Sequence, residues 1–286
     1  MFEDLYAPLP QVDAYLARIG YEGPIGLTEA CLDQLVLRHQ LSVPFENLDI
    51  RIRKTPVSLG IPQLFDKVVT RGRGGFCYEL NGLFRALLEA LGFRAWCCSC
   101  KVLKGEGPGH PALHRGVVVD LGGRLRYCDV GFGGPMPAGA LPIEAGDEQC
   151  IGGDRYLLEA EPGVECGPWL RLSRRGREGG LVPLVSLDPR PVDPVDFLAG
   201  CHFCCCHHQD EYTDFTHKLL LNIRTADGYA SLKDNVYRQR EGDAASSTTL
   251  TSVAEMRGLM ESVFLVPADF FDARLLDGLH REVFVA

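Results

Sequence analysis

The stretch Arg73-Gly74-Gly75-Phe76-Cys77-Tyr78-Glu79-Leu80-Asn81 constrains this chain more than any other. Two glycines make a bare turn, and directly after it Leu80, Leu83, Phe84, Leu87, Leu88 and Leu91 recur at helical spacing. Gly92 then stands where a helix C′ residue belongs. The pattern predicts a helix with Cys77 at or near its N-terminus. The first N–H groups of a helix lack intrahelical partners and carry the positive end of its macrodipole, so they favour an anion such as a thiolate. Cys77 is therefore a candidate nucleophile. The bland alternative is a small apolar residue filling space beneath a turn.

The texture on either side of that helix differs. Before it, Val12 to Ile19, Thr28 to about Gln40 and Ile61 to Thr70 carry helical apolar spacing. Thr28 suits an N-cap there, with Leu27 and Leu32 at staple positions. Pro44-Phe45-Glu46-Asn47-Leu48-Asp49 interrupts them and does not suit a helix interior. After Gly92 the chain turns to β patterning. Phe93 to Leu103 is rich in cysteine and aromatics, Lys104 to Pro111 is a glycine- and proline-bearing loop, and strands are expected at Arg155 to Glu159 and Pro168 to Leu172. A Pro/Asp-rich linker follows from Asp188. The last part shows a hairpin, Lys218 to Thr225 and Tyr229 to Gln239, turning at Asp227-Gly228. Two helices follow, Val253 to Val263 behind Ser252 and Glu255 in capping-box spacing, and Ala268 to Leu279.

One hairpin brings two polar residues together. Leu113 to Leu121 and Arg124 to Val130 are separated by Gly122-Gly123, a two-residue turn signal. In that register Leu121 faces Arg124, Val118 faces Tyr127, Gly116 faces Asp129 and His114 faces Gly131. His114 and Asp129 become diagonal neighbours on one face, with glycines opposite both. A carboxylate beside an imidazole fixes its tautomer and supports its protonated form. Cys77, His114 and Asp129 then make a nucleophile, base and orienting acid. Each has an ordinary structural alternative taken singly. His110 lies in the Gly/Pro loop and is a weaker candidate base than His114.

Composition narrows the class. The 286 residues are 46% hydrophobic and 23% charged, as in an ordinary globular protein. A net charge of −9 argues against nucleic acid as a partner. No apolar run approaches membrane-spanning length, and the acidic N-terminus does not resemble a signal peptide, so a cytoplasmic protein is expected, with neither membrane nor nucleic acid as partner. Its 12 cysteines then read as reduced thiols. The densest group, Cys201-His202-Phe203-Cys204-Cys205-Cys206-His207-His208, is the rival centre, because such side chains bind zinc. Cys97 with Cys100, and His110 with His114, offer a second half-site on paper. Consecutive ligands cannot all point at one ion, and no metal site is assigned.

The residues Pro44 to Asp49, Lys67-Val68-Val69 with Arg73 to Asn81, His114-Arg115, and Asp129-Val130-Gly131-Phe132-Gly133 together resemble the arylamine N-acetyltransferases. The resemblance covers roughly the first half of the chain and rests chiefly on Arg-Gly-Gly-aromatic-Cys-x-Glu. It implies an α+β fold with a cysteine-protease-like Cys-His-Asp core: a helical bundle at 1–92, a β-barrel at 93–187, a linker at 188–200 and an α/β lid at 201–286. It implies Cys77 as the acetyl-accepting nucleophile, His114 as its base and Asp129 as the orienting carboxylate. Phe45, Phe132 and Val102 would line the acceptor pocket, and Thr213 and Phe215 would meet the acyl donor. Acetyl-CoA would be a cosubstrate with no bound cofactor, and the acceptor a small aromatic amine or hydrazine. In the weaker second half, Phe215 to Lys218 and Thr225 to Gly228 look like the family's lid strands. The family's small, Ser/Thr/Pro-rich stretch before that Phe is replaced by cysteine, histidine and acid, and Asp210, Glu211 and Asp214 would repel a pyrophosphate that faced them.

Three alternatives stand beside this reading. A papain- or transglutaminase-like enzyme would use the same three residues on amides. A CoA-independent amide synthase would differ in its acyl donor. A zinc or thiol module built on 201–208 would not be an enzyme.

Overall fold

Helix boundaries in the N-terminal layer follow local signals closely. The computed structural model describes residues 2–103, 110–161, 167–206 and 213–285. Val12–Arg18 (α1) and Glu29–Ser42 (α2) come first, α2 opening at Thr28, whose Oγ1 accepts the Cys31 N–H at 3.3 Å. Leu32 is buried, but Leu27 stays 58% exposed, so the staple shelters little apolar area. Ile61–Phe65 (α3) widens into a looser turn, Asp66–Thr70. Cys77–Ala90 (α4) is the central helix. It ends in a Schellman pair, with Phe93 N–H on Leu88 O and Gly92 N–H on Glu89 O, both at 2.9 Å. Leu80, Leu83, Phe84, Leu87 and Leu88 are wholly buried on its inner faces, each contributing about 1.5–3 kcal/mol.

The interrupting segment Pro44 to Asp49 proves to be a strand ending in a turn. Phe45–Glu46 (β1) pairs antiparallel with Leu220–Thr225 (β10), far along the chain, and makes a parallel bridge to Gly75. Thus the loop before Cys77 is stitched directly to the C-terminal sheet.

Eight strands form a coiled, nearly closed barrel. They are Arg94–Val102 (β2), His114–Asp120 (β3), Leu125–Cys128 (β4), Leu141–Pro142 (β5), Glu148–Ile151 (β6), Asp154–Ala160 (β7), Leu170–Arg175 (β8) and Leu181–Asp188 (β9). Their order is β5-β4-β3-β2-β9-β8-β7-β6, all antiparallel. Across the seam between the two edge strands, Gln149 Nε2 donates to Pro142 O at 3.0 Å. The barrel interior holds Cys98, Cys100, Val118, Tyr127, Leu172 and Val185, while Cys97, Val117, Val119 and Cys128 pack outward with the helical core. Pro183 hides β9 from pattern reading. It sits where the ladder slips, Leu172 pairing Val185 but Ser173 pairing Pro183, and such a bulge is where a strand tolerates proline.

The expected hairpin Gly122-Gly123 is present in its expected register. Both glycines have positive φ (68° and 88°), as a two-residue hairpin turn requires, and Val118 lies opposite Tyr127. The C-terminal hairpin is also present, but the run Tyr229 to Gln239 is two strands. Gly228–Lys233 (β11) and Val236–Glu241 (β12) are separated by Asp234-Asn235. Asp234 takes a left-handed φ of 51° and its Oδ1 accepts the Leu219 N–H, chemistry that ends a strand. Ala244–Thr249 (β13) completes a five-stranded sheet, β1-β10-β11-β12-β13. Val253–Ser262 (α6) and Ala273–Leu279 (α7) share its core through Met256, Met260 and Leu275. Ser252 Oγ accepts the Glu255 N–H, and the Glu255 carboxylate reaches back to the Thr251 N–H.

The linker expected over 188–200 is shorter than that span. Trp96 Nε1 donates to Pro189 O and the Val192 N–H to Cys97 O, both at 2.9 Å, tying the segment to β2. From Phe197 the chain is helical, Phe197–Cys206 (α5), because Phe197, Cys201 and Cys204 recur on a buried face. Among the described residues, no helix is long and apolar enough to cross a membrane.

A Cβ on Gly74 would lie 2.1 Å from the Pro44 carbonyl oxygen, so no side chain fits without moving β1. Gly74→Ala should lower stability by about 1–3 kcal/mol, read from the urea midpoint. An unchanged midpoint would contradict the stitching of the Cys77 loop to β1.

Candidate active site

The Cys77 loop rests on a buried set of charges. Glu79, two residues into α4 after Cys77, accepts the Phe76 N–H through Oε2 (3.1 Å) and Lys67 Nζ through Oε1 (2.8 Å). Lys67 also meets Asp49 Oδ2 at 2.8 Å. Arg73 donates to Glu46 Oε1 (2.6 Å) and Asp49 Oδ2 (3.3 Å), and Glu46 Oε2 accepts the Leu48 N–H at 2.7 Å. Burial disfavours the Asp49 carboxylate, but Lys67 and Arg73 outweigh it and hold Asp49 at about 2. Burial also depresses Lys67, and the surrounding carboxylates overturn that and raise it. Glu79 itself is pushed up, chiefly by burial. This set explains why Glu46, Lys67, Arg73 and Glu79 recur in the motif: they shape the turn that presents Cys77.

The nucleophile and base come from different layers. Cys77 is the first residue of α4, His114 the first of β3, and Asp129 follows directly on β4. All three are buried. His114 Nε2 lies 2.6 Å from Asp129 Oδ2, which leaves Nδ1 to serve the thiol. Burial lowers the His114 pKa, but the charges of Asp129 and Cys77 and hydrogen bonds to both raise it well above the usual imidazole range. Asp129 is opposed by burial and still held below the carboxylate range by His114, Asn81 and Tyr127. The arrangement therefore favours imidazolium beside carboxylate.

The Asp129 carboxylate is saturated with donors. Oδ1 accepts Asn81 Nδ2 (2.9 Å) and the Gly131 N–H (3.0 Å); Oδ2 accepts the Tyr127 hydroxyl (2.8 Å) besides meeting His114. Asn81 also donates to Arg115 O at 2.5 Å and accepts the Val130 N–H at 2.9 Å. Asn81 and Tyr127 are the residues whose contribution pattern reading missed. Asn81 stands one helical turn from Cys77, and Tyr127 is two residues from Asp129 on the same strand face, so both were legible as neighbours but not as donors. Arg115 is a third: Nη1 donates to Tyr78 O at 3.1 Å, and its guanidinium lies 4.6 Å from the Phe197 ring centroid.

Aromatic rings close over the thiol. Phe215 packs against Phe45 and Phe76, with centroids 6.1 and 5.5 Å apart, and Phe132 stands edge-on to His114 at 5.6 Å. Phe45 and Phe132 also line a crevice that reaches Asp129. Val102 lies on β2 two residues beyond Cys100, the partner of His114, and so on the same barrel face. Thr213 is buried and its Oγ1 accepts the Phe215 N–H at 3.3 Å. Asp214 is ion-paired with Lys218 at 2.7 Å, while Asp210 and Glu211 lie outside the described residues.

The rival cysteine–histidine cluster is dispersed by its helix. Cys201 and Cys204 point inward, Cys206 is exposed beside His202, and His207 and His208 lie outside the described residues. Cys97 and Cys100 face opposite sides of β2. Among the described residues, no three His, Cys, Asp or Glu side chains are placed to hold a metal ion.

A thiol at the head of a helix, served by an imidazole and carboxylate from an antiparallel barrel, is the layout of the papain-like thiol enzymes, and fold and site put this chain in that class. Within it the lineage is specific. A family model described as N-acetyltransferase matches residues 29–271. An arylamine N-acetyltransferase of Escherichia coli is 35% identical over 263 residues, 91% of this chain and 90% of that protein. One from Mycobacterium tuberculosis is 38% identical over 151 residues, so the match takes in 51% of this chain and about half (53%) of that relative's length. The structure of Mycobacterium marinum arylamine N-acetyltransferase in complex with CoA superposes with a TM-score of 0.86 at 27% identity, covering 96% of this chain and all (100%) of that one. The chain belongs to the arylamine N-acetyltransferase family.

The charge set carries a pH signature. Asp49 is depressed to about 2 in the folded chain, against about 3.9 unfolded. Its contribution, about 2 kcal/mol, is therefore complete above the unfolded value and lost as pH falls through the folded one. Asp49→Asn should be the less stable protein at pH 7, and the gap to wild type should close between about pH 4 and 2. Urea unfolding at several pH values measures this, and a pH-independent gap would show that the ion pairs with Lys67 and Arg73 contribute nothing.

Proposed function

We propose that the chain transfers an acetyl group from acetyl-CoA to a small arylamine or arylhydrazine by a ping-pong route through acetyl-Cys77. The observation that carries this reading is the buried His114–Asp129 pair beside Cys77, within a family whose relatives bear the arylamine N-acetyltransferase name. Binding of CoA by the M. marinum relative supports the choice of donor.

In the first half-reaction the Cys77 thiolate attacks the thioester carbonyl. The C–S bond to CoA breaks, the His114 imidazolium gives its proton to the departing thiolate, and acetyl-Cys77 remains. In the second, the amine nitrogen attacks that thioester while neutral His114 takes its proton, the C–S bond to Cys77 breaks, and the acetamide leaves with the thiolate–imidazolium pair restored. An arylamine is neutral at working pH and so attacks without prior deprotonation. The N–H groups of Cys77 and Tyr78 open α4 without intrahelical partners and are the natural donors to the tetrahedral oxyanion. Phe45, Phe132 and Val102 are assigned to the aromatic acceptor, and Thr213 and Phe215 to the donor. Because the rings of Phe45, Phe76 and Phe215 cover a buried thiol, entry of either substrate requires those rings to move.

Intact mass after brief mixing with acetyl-CoA should show one added acetyl group in the wild type, none in Cys77→Ala, and discharge by an added arylamine. A thiol that reacts with iodoacetamide but not with acetyl-CoA would overturn the donor and leave an amide synthase or protease-like reading. Asp129→Asn removes the charge that sustains the imidazolium, leaving burial to dominate. The His114 pKa followed by NMR should fall, and acetylation should slow by about a hundredfold or more.

A further inference from the structure

The Tyr127 hydroxyl takes no part in the acyl transfer above, yet it shares an atom with the site. It donates at 2.8 Å to Asp129 Oδ2, the oxygen that lies 2.6 Å from His114 Nε2. The ring is 1% exposed and sits inside the barrel, in register with Val118. Its place is built into the neighbouring strand. A Cβ on Gly116 would lie 2.5 Å from Tyr127 Cε2 and 3.0 Å from its hydroxyl oxygen, so the absence of a side chain at Gly116 is what lets the ring lean towards Asp129. A phenylalanine would fill the same space without burying a hydroxyl, a group that is costly to bury unless it is bonded. The titratable groups facing Tyr127 and the pair are Cys77 from α4, Cys98 and Cys100 from β2, and His114 from β3. Cys100 Sγ lies 3.7 Å from both the Tyr127 hydroxyl and Cys98 Sγ.

We propose that Tyr127 is a positioning residue for the catalytic pair: by donating to the oxygen that holds the imidazole, it fixes the carboxylate and limits how much of that oxygen's charge His114 draws on. Burial and the Asp129 charge push the Tyr127 hydroxyl far above its usual range, so it remains a neutral donor throughout the working range. Asp129 keeps its two Oδ1 donors without it. Removing the hydroxyl therefore leaves the carboxylate in place but concentrates its charge on His114. The thiolate–imidazolium pair then forms at lower pH, and the imidazolium gives up its proton less readily to the departing CoA thiolate, a consequence that rests on the acetyl-transfer reading.

The test is the pH dependence of Cys77 alkylation by iodoacetamide, with peptide mapping to separate Cys77 from the exposed Cys150 and Cys206. In Tyr127→Phe the midpoint should move to lower pH by about 0.5–1 unit, and the acetylation rate should fall several-fold. Site-specific replacement of Tyr127 by 3-fluorotyrosine keeps the ring and strengthens the donor, and should move the midpoint the opposite way. That second variant decides the matter if Tyr127→Phe fails to fold. A midpoint unchanged in both, or shifted to higher pH in Tyr127→Phe, overturns the proposal. Alkylation needs no acetyl-CoA, so failure of the donor assignment would appear separately, as wild-type protein that alkylates but does not acetylate.

Discussion

The interface between α4 and the barrel turns on Asn81. From one turn beyond Cys77, its amide reaches Arg115 O on β3, Asp129 Oδ1 at the end of β4 and the Val130 N–H beyond it. Three bonds from one side chain lock the helix that carries the nucleophile to both strands that carry its base and acid. Each is worth only about 1 kcal/mol in net stability, so their importance is geometric. Without them the layers could slide by a fraction of an ångström with little apolar cost, and thiol and imidazole would lose alignment.

The buried charges around Glu79 act at the other end of the same helix. Lys67 and Arg73 sit among Glu46, Asp49 and Glu79, all nearly out of solvent. Apolar residues of the same size would give comparable or greater stability, since desolvating such ions costs several kcal/mol apiece. Their use here is directional. Glu79 holds the Phe76 N–H, Glu46 holds the Leu48 N–H, and both carboxylates share cations with Asp49, so β1, the glycine turn and the first turn of α4 have one arrangement. Since β1 also edges the C-terminal sheet, the same network relates the site to the lid.

What the amino-acid pattern revealed depended on whether the determining forces were local. The α4 boundaries, the Thr28 cap and the Gly122-Gly123 hairpin rest on residues within a few positions of one another, and the hairpin register alone brought His114 and Asp129 to one face. The pairing of β1 with β10 could not be read, because a two-residue strand has no period and its partner lies at Leu221 and Asn222. Strand β9 was concealed by Pro183, whose bulge exists only in relation to β8. The break at Asp234-Asn235 was legible in residue type but masked by the apolar spacing on either side. Tyr127 and Asn81 escaped for another reason: the side on which a residue lies follows from spacing, whereas the oxygen to which it donates does not.

Glycines at the site show how the reading of space must change once layers are packed. Opposite His114 and Asp129, Gly131 and Gly116 promise room around the pair. The room is occupied. A Cβ on Gly131 would meet Cys77 Cα at 2.9 Å, and one on Gly116 would strike the Tyr127 ring. Their small size lets the α4 backbone and a phenol come close to the carboxylate, in place of water. Expelling water lowers the local dielectric, which strengthens the His114–Asp129 attraction and makes any unpaired donor or acceptor there expensive. Four donors on Asp129 follow from that constraint: a carboxylate this deeply buried can remain ionised only if nearly every lone pair is occupied, and it is the ionised form that keeps His114 charged beside the thiol.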